Sequence, residues 1–290
     1  MATLRDLRRR IGSIQNTQKI TKAMELVAAA KMRRAQQAME ASRPYAEGIA
    51  DVLANLASAQ LDVTHPLLEK RDQVKARLLV MVTADRGLAG GLNTNAIRAA
   101  NRFIRQDSTP VRLVTIGRKG RDYFRRFNLE LVADKSMLPD RPPMKDIRPP
   151  ITVAIDEFLE GRVDEVWLEY TRYINAASQQ PVVVRLIPPE IPERDETRGG
   201  PEAMYEFEPN AEAVLGELLP RYVEAQVYHA VLENQASEQA AKMAAMRSAS
   251  DNAGELIQDL TLERNKLRQA QITRELMEIV GGAEALAQAS

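Results

Sequence analysis

The segment Thr83-Ala-Asp-Arg-Gly-Leu-Ala-Gly-Gly-Leu-Asn-Thr94 is the part of this sequence best suited to holding a phosphate. Glycines at a strand-to-helix turn bring backbone N–H groups close to a bound anion. The spacing matches neither Gly-x-Gly-x-x-Gly nor Gly-x-x-x-x-Gly-Lys-[Ser/Thr], and neither pattern occurs anywhere else in the chain. The residues therefore favour a structural glycine-rich turn. Asp85-Arg86 inside it reads as an ion pair that steadies the turn. His65 and His229 are the only histidines, far apart and outside any metal-ligand spacing. His65 is expected in a solvated loop and His229 on a helix surface. No Ser/His/Asp arrangement or paired-carboxylate site is visible. With no cysteine, neither a disulfide framework nor thiol chemistry is available. The chain is expected to have no catalytic centre, no cofactor and no metal.

Two polar clusters remain. Arg8-Arg9-Arg10 and Lys31-Met-Arg33-Arg34 are basic enough to suggest nucleic acid. No aromatic residue interleaves them before Tyr45, so stacking on single strands lacks support. A solvated helix face, or contact with an acidic protein surface, fits better. The second cluster runs from Arg264 to Ala285. Arg264, Arg268, Gln269, Thr273 and Glu275 make it more polar than a coiled-coil seam requires. It reads either as helix surface or as a polar tip inserted into another protein.

Both clusters lie on segments that must be long helices. No proline follows Pro220, and the only later glycines are Gly254, Gly281 and Gly282. A segment of that length rich in Ala, Leu, Glu, Gln, Lys and Arg reads as one helix, a rod of roughly 90 Å. Residues 2–43 also lack proline and contain a single glycine, Gly12. Leu4, Leu7, Ile11 and Ile14, then Met24, Val27, Ala28, Met32, Ala35 and Met39, set out an apolar stripe. Its counterparts in the C-terminal segment include Val227, Val231, Met243, Met246, Ala249, Ala253, Leu256, Leu260 and Leu267. The N-terminal segment is basic and the C-terminal one leans acidic, through residues such as Glu224, Glu238, Asp251 and Glu263. An antiparallel pair of terminal helices with that charge polarity is the expectation.

Composition agrees with an extended, alanine-rich architecture. The formal net charge is zero and aromatics make up 4% of the 290 residues. Partners must therefore be chosen by local charge rather than bulk electrostatics. Apolar runs such as Leu78–Val82 are far too short to cross a bilayer. The N-terminus lacks a signal-peptide core, so a soluble intracellular protein that meets membranes only through partners is expected.

Between the terminal segments the texture changes. Strands are expected at Arg77–Thr83, Val111–Ile116 and Leu129–Ala133. Helices are expected at Asn93–Arg105, Gly117–Phe127 and Ile151–Glu160. Val163–Ile174 and Pro181–Ile187 read as a hairpin across Asn-Ala-Ala-Ser-Gln-Gln. That alternation predicts a Rossmann-like α/β domain with a mostly parallel sheet. The fold class is α/β plus a long antiparallel coiled coil, divided as an N-terminal helix at 1–60, the α/β domain at 75–190 and a C-terminal helix at 210–290. A kink or a break is expected at Pro44, and residues 188–209 read as loop.

Three blocks now acquire a common meaning. They are Lys19-Ile-Thr-Lys-Ala-Met24-Glu-Leu-Val-Ala-Ala-Ala-Lys-Met, Thr83–Asn93, and the C-terminal run from Ala236 to Ala283. The last contains Thr-x-Glu-x-x-Glu-x-x-x-Gly-Ala over Thr273–Ala283. With these blocks the chain resembles, over essentially its whole length, the γ-subunit family of the rotary F-type ATP synthases. The resemblance implies a non-catalytic central shaft of the F1 sector. Its paired terminal helices would enter an α3β3 hexamer, and its rotation would couple transmembrane ion flow to ATP synthesis or hydrolysis at the β subunits. It implies contacts with β and α through Met24, Lys242, Arg268, Gln269 and Thr273. It also implies a foot of Tyr205, Phe207 and Glu208 against the ε subunit and the membrane c-ring. Cofactors and nucleic acid are not implied. The chain departs from the family at Lys242, where relatives often carry Arg, at Ala89, where many carry Cys, and at Phe207, where Tyr is common. A plant-type regulatory cysteine pair and a mitochondrial targeting extension are missing, which favours a bacterial protein on the cytoplasmic face of the plasma membrane. Two other classes compete. A small nucleotide-binding α/β enzyme is opposed by the missing phosphate motif, and a nucleic-acid tether by the missing aromatics.

Overall fold

The run Arg77–Val82 forms β1, and its side chains are buried on both faces of the sheet, which explains why it reads as continuously apolar rather than alternating. In the computed structural model, which describes residues 3–58, 65–190 and 211–288, it lies at the centre of a five-stranded sheet. The strands are β2 (Val111–Ile116), β3 (Leu131–Lys135), β4 (Glu165–Tyr173) and β5 (Gln179–Ile187), in the order β3-β2-β1-β4-β5. β3, β2, β1 and β4 run parallel, and β5 returns antiparallel along β4. The helices are α1 (Leu4–Ser58), α2 (Leu92–Ile104), α3 (Arg118–Phe124), α4 (Met144–Leu159) and α5 (Ala211–Gln288).

The chain divides into two units, Ala28–Lys242 and the pair Met1–Val27 with Met243–Ser290. In the first, α2 and α3 cover one face of the sheet, with Ala96, Ala100, Phe103 and Phe124 against Leu79, Met81 and Leu113. The other face is covered by α4 through Ile147, Ile151 and Phe158. Ile49 and Leu53 of α1 and Leu219, Val223 and Val227 of α5 join the same core. Within this unit α1 buries or half-buries Ala28, Met32, Ala35, Met39, Ser42, Ala46, Ile49 and Leu53. That is an unbroken alternation of three and four residues, the spacing of a heptad seam.

Several local expectations shift. α1 passes through Pro44 without ending. Pro44 and Glu40, whose carbonyl loses its partner, both face solvent, where water can satisfy the carbonyl. α4 begins seven residues before Ile151 and contains both Pro149 and Pro150; burial of Ile147, Pro150 and Ile151 outweighs the helix-breaking tendency. α5 likewise begins before Pro220 and includes it. β3 lies two residues later than expected, beside a register shift between Leu113 and Val114.

The glycine-rich turn holds the strand ends together. The Asp85 carboxylate does not pair with Arg86. It accepts backbone N–H groups from Arg118, at 2.9 Å, and Leu138, at 3.2 Å. Asn93 Oδ1 accepts the Ala84 N–H at 3.1 Å. Gly117 is at φ +109°, and a Cβ there would lie 2.0 Å from the Thr83 carbonyl oxygen. Only glycine allows β1 and β2 to converge so closely. His65 is also not simply solvated: its Nδ1 accepts the Leu67 N–H at 3.1 Å, capping a short 3-10 turn. Partial burial lowers its pKa below the ordinary 6.5.

One row across the sheet, Thr115–Met81–Glu169–Val183, contains a fully buried carboxyl. Both Glu169 oxygens lack a hydrogen-bond partner, and burial pushes its pKa well above the ordinary 4.5. The folded state thus holds a proton that the unfolded chain releases. The associated stability is full below pH 4.5 and falls as pH rises toward the folded-state pKa. Glu169→Gln, which cannot ionise, is expected to unfold at higher urea than the parent at pH 7–8. The two proteins should converge below the ordinary carboxyl range, and paired urea titrations across pH check this.

Candidate partner interface

The terminal unit consists of the first turns of α1 and the last turns of α5, packed antiparallel. On α1 the seam runs through the buried or half-buried Leu7, Ile11, Ile14, Gln18, Thr21 and Glu25; on α5 it runs through Met246, Ser250, Ala253, Ile257, Leu260, Arg264 and Leu267. Both sets keep the three-four alternation. The expected seam residues Val27 and Leu256 instead face solvent. The apolar pattern alone chose them, but the seam passes through polar Glu25, two residues before Val27, and through Ile257, one residue after Leu256.

That polar step is the most specific contact of the unit. Thr21 Oγ1 and Ser250 Oγ are 2.7 Å apart, and both hydroxyls are buried. Each also lies within reach of the Gln18 carbonyl. The Gln18 amide donates across the seam to the Ser250 carbonyl at 3.2 Å. Gly254 leaves room for this amide, because a Cβ there would lie 3.0 Å from Gln18 Nε2. The buried Glu25 carboxylate accepts from Lys22 at 2.9 Å and from Arg247 at 3.0 Å. The expected polarity is therefore reversed at this contact: the acid is on α1 and the base on α5.

The Lys22 and Arg247 hydrogen bonds hold Glu25 below its usual 4.5. Stability from this group is present above 4.5 and lost as pH falls through the folded-state value. Beyond Leu267 the character of α5 changes. Every side chain from Arg268 to Ala283 is exposed. Among them are Ile272, Leu276, Met277, Ile279 and Val280, the most open being Ile279 at 69%. An exposed apolar helix of this kind is characteristic of a surface that another molecule covers.

The implied contact residues fall in different places. Arg268, Gln269 and Thr273 are on this bare segment and fully accessible. Thr273 Oγ1 bonds back to the Gln269 backbone carbonyl at 3.0 Å. Met24 is half-buried beside the seam. Lys242 belongs to the other unit, where its Nζ is 2.7 Å from Glu238 Oε1. Lys242 and Glu238 line a cavity of about 280 Å³ together with Asn234 and Gln235, whose buried amide oxygens lack a hydrogen-bond partner. Tyr205, Phe207 and Glu208 lie outside the described residues.

His229 does not stand on a free helix surface. Its Nδ1 is 3.3 Å from Ser42 Oγ and its Nε2 3.6 Å from Glu233. Sequence separation hid this Ser–His–Glu row. The Ser42 hydroxyl is directed at the Met39 carbonyl, at 2.7 Å, so the row has the geometry of a helix–helix contact rather than an activated nucleophile. Among the described residues no cluster of His, Asp or Glu could hold a metal, and no helix is long and apolar enough to cross a membrane.

Glu25→Gln is expected to weaken the terminal pair at neutral pH and to remove the acid-dependent loss of protection below 4.5. Amide exchange over residues 10–27 at pH 4 and pH 7 reads both effects.

The model of the family described as ATP synthase matches residues 3–286. The ATP synthase gamma chain of Desulforamulus reducens is 50% identical over 286 residues, covering 99% of this chain and all of that one. The gamma chain of Desulfitobacterium hafniense is 48% identical with the same coverage. Among solved structures, the central stalk/c-ring of the Tetrahymena thermophila mitochondrial ATP synthase matches with TM-score 0.60 and 25% identity, over 80% of this chain and 99% of that one. A chain of the Euglena gracilis mitochondrial enzyme shares the fold at TM-score 0.66 and 20% identity, over 98% and 94%. This chain belongs to the ATP synthase gamma-chain family.

Proposed function

We infer that this protein is the central rotor shaft of an F-type ATP synthase, a non-catalytic subunit that couples ion flow to ATP synthesis or hydrolysis at β subunits. The observation that carries this reading is the bare end of α5. A helix that continues beyond its intramolecular partner, exposing Ile272, Leu276 and Ile279 beside Arg268 and Thr273, fits insertion into a sleeve made by other chains. An α3β3 hexamer is that sleeve. A rotor angle favours one β conformation only by contacting it better than the alternatives, so an asymmetric helix pair suits the task better than a symmetric one.

Arg268, Gln269 and Thr273 are proposed to meet β and α loops near the tip, with Met24 and Lys242 at the β levers lower down. Tyr205, Phe207 and Glu208 are proposed as the foot on ε and the c-ring. The organisation into an N-terminal helix (1–60), an α/β domain (75–190) and a C-terminal helix (210–290) serves this division of labour. The bacterial relatives support a bacterial enzyme, acting at the cytoplasmic face of the plasma membrane.

The double variant Arg268→Ala/Gln269→Ala should keep the fold, since neither side chain is buried. It should lower affinity for the assembled hexamer, or its turnover, by about tenfold. Co-purification with α and β, followed by ATP hydrolysis, tests this. Unchanged assembly and turnover would remove the tip contact from the account.

A further inference from the structure

The outer faces of α2 and α3 carry arginines that nothing in the core requires. Arg98 and Arg102 are one helical turn apart on α2, and Arg105 follows at its C-terminal cap, all exposed. Arg125 and Arg126 follow the last residue of α3, also exposed, and Phe127 beside them is 59% open. The two helices are joined there by the Asn101 amide, which donates to the Tyr123 hydroxyl at 3.2 Å. The Tyr123 and Phe127 rings lie 4.9 Å apart. These contacts bring together the C-terminal ends of α2 and α3 and the exposed arginines they carry, as one ridge.

The carboxylates nearby are already engaged by other cations. Arg77 holds Asp107 at 2.6 Å, Arg121 holds Asp122 and Asp134 at 2.9 and 3.3 Å, and Arg112 pairs with Glu130. Arg98 bonds only to the Asn95 amide oxygen, at 3.1 Å. Among the described residues none of Arg98, Arg102, Arg105, Arg125 and Arg126 forms an ion pair. The ridge therefore has an uncompensated positive charge, although the chain as a whole is neutral.

We propose that this ridge is a docking surface for the anionic phospholipid headgroups of a bilayer. Guanidinium groups match phosphate oxygens in paired hydrogen bonds, which a lysine ammonium cannot do. A helix flank with an exposed phenylalanine fits a lipid interface, where aromatic rings settle at headgroup level. With no membrane-spanning helix among the described residues, the contact is with the surface. The choice of lipid over an acidic protein rests on the rotor reading. Fixed carboxylates on a stationary protein would trap a rotor at preferred angles, whereas a fluid leaflet presents the same field at every angle. Attraction of this kind strengthens binding about fivefold per arginine close to the surface and decays over about 10 Å at 0.1 M salt.

The test uses the full chain, alone and assembled with α and β subunits, in sedimentation with vesicles of phosphatidylcholine with or without phosphatidylglycerol. Vesicles with phosphatidylglycerol should bind the protein, and salt should release it. Arg102→Gln/Arg105→Gln/Arg125→Gln/Arg126→Gln should weaken binding at least about tenfold with an unchanged melting curve, while Arg8→Gln/Arg9→Gln/Arg10→Gln should not. Equal binding to both vesicle types, equal loss in the N-terminal variant, or equally strong binding to duplex DNA through the same arginines would overturn the proposal. Assembly is scored on the same preparations: a chain that assembles but ignores phosphatidylglycerol defeats the lipid surface alone. One that binds phosphatidylglycerol but never assembles defeats the rotor reading and, with it, the argument for lipid over protein.

Discussion

The buried polar step between the terminal helices is the constraint on which the rest of that unit depends. A seam of small and apolar side chains such as Ile11, Ala253 and Ile257 can slide by a heptad at little cost, because one leucine or alanine replaces another. The Thr21–Ser250 hydroxyl pair and the Glu25–Arg247 ion pair have no equivalent one heptad away. A slip would leave a buried hydroxyl and a buried carboxylate without partners, at about 1–3 kcal/mol for the hydroxyl alone. Buried polar pairs that fix register are the best-attested use of such groups. The stagger they set determines where α1 stops covering α5, and hence how much of α5 is left bare.

That bare segment and the core of the α/β unit follow opposite rules. In the unit Ala28–Lys242 the sheet is covered on both faces and its central strand β1 is closed off from water. Even the unpartnered Glu169 is tolerated there in its neutral form. In α5 every side chain from Arg268 to Ala283 meets solvent, and an isolated helix of that length is only marginally stable in water. Its order must be completed by contact with another chain, which is what a shaft inside a sleeve provides. The arginine ridge of α2 and α3 adds a second outward-facing surface, of a different chemistry.

Much of this was legible in the residues. The strand runs stood out because parallel strands buried on both faces read as unbroken apolar stretches, and the long helices because breakers were absent. The bare tip was visible in the crowding of Arg268, Gln269 and Thr273 on an otherwise apolar period. What the sequence hid were effects of partners distant in the chain. Val27 and Leu256 looked like seam residues because they are apolar, yet the seam runs through Glu25 and Ile257, a choice made by cross-helix hydrogen bonds. Asp85 looked like a partner for Arg86 because they are adjacent, but the turn brings the Arg118 and Leu138 N–H groups to it instead. Pro149 and Pro150 argued against helix, and burial of their neighbours outweighed them.

The most direct check is amide hydrogen exchange over residues 268–283, measured for the free chain and after addition of α and β subunits. The shaft account predicts fast exchange in the free chain and strong protection on assembly, confined to this segment and the exposed flanks of the terminal pair. Exchange that is already slow in the free chain, or that α and β leave unchanged, would contradict it.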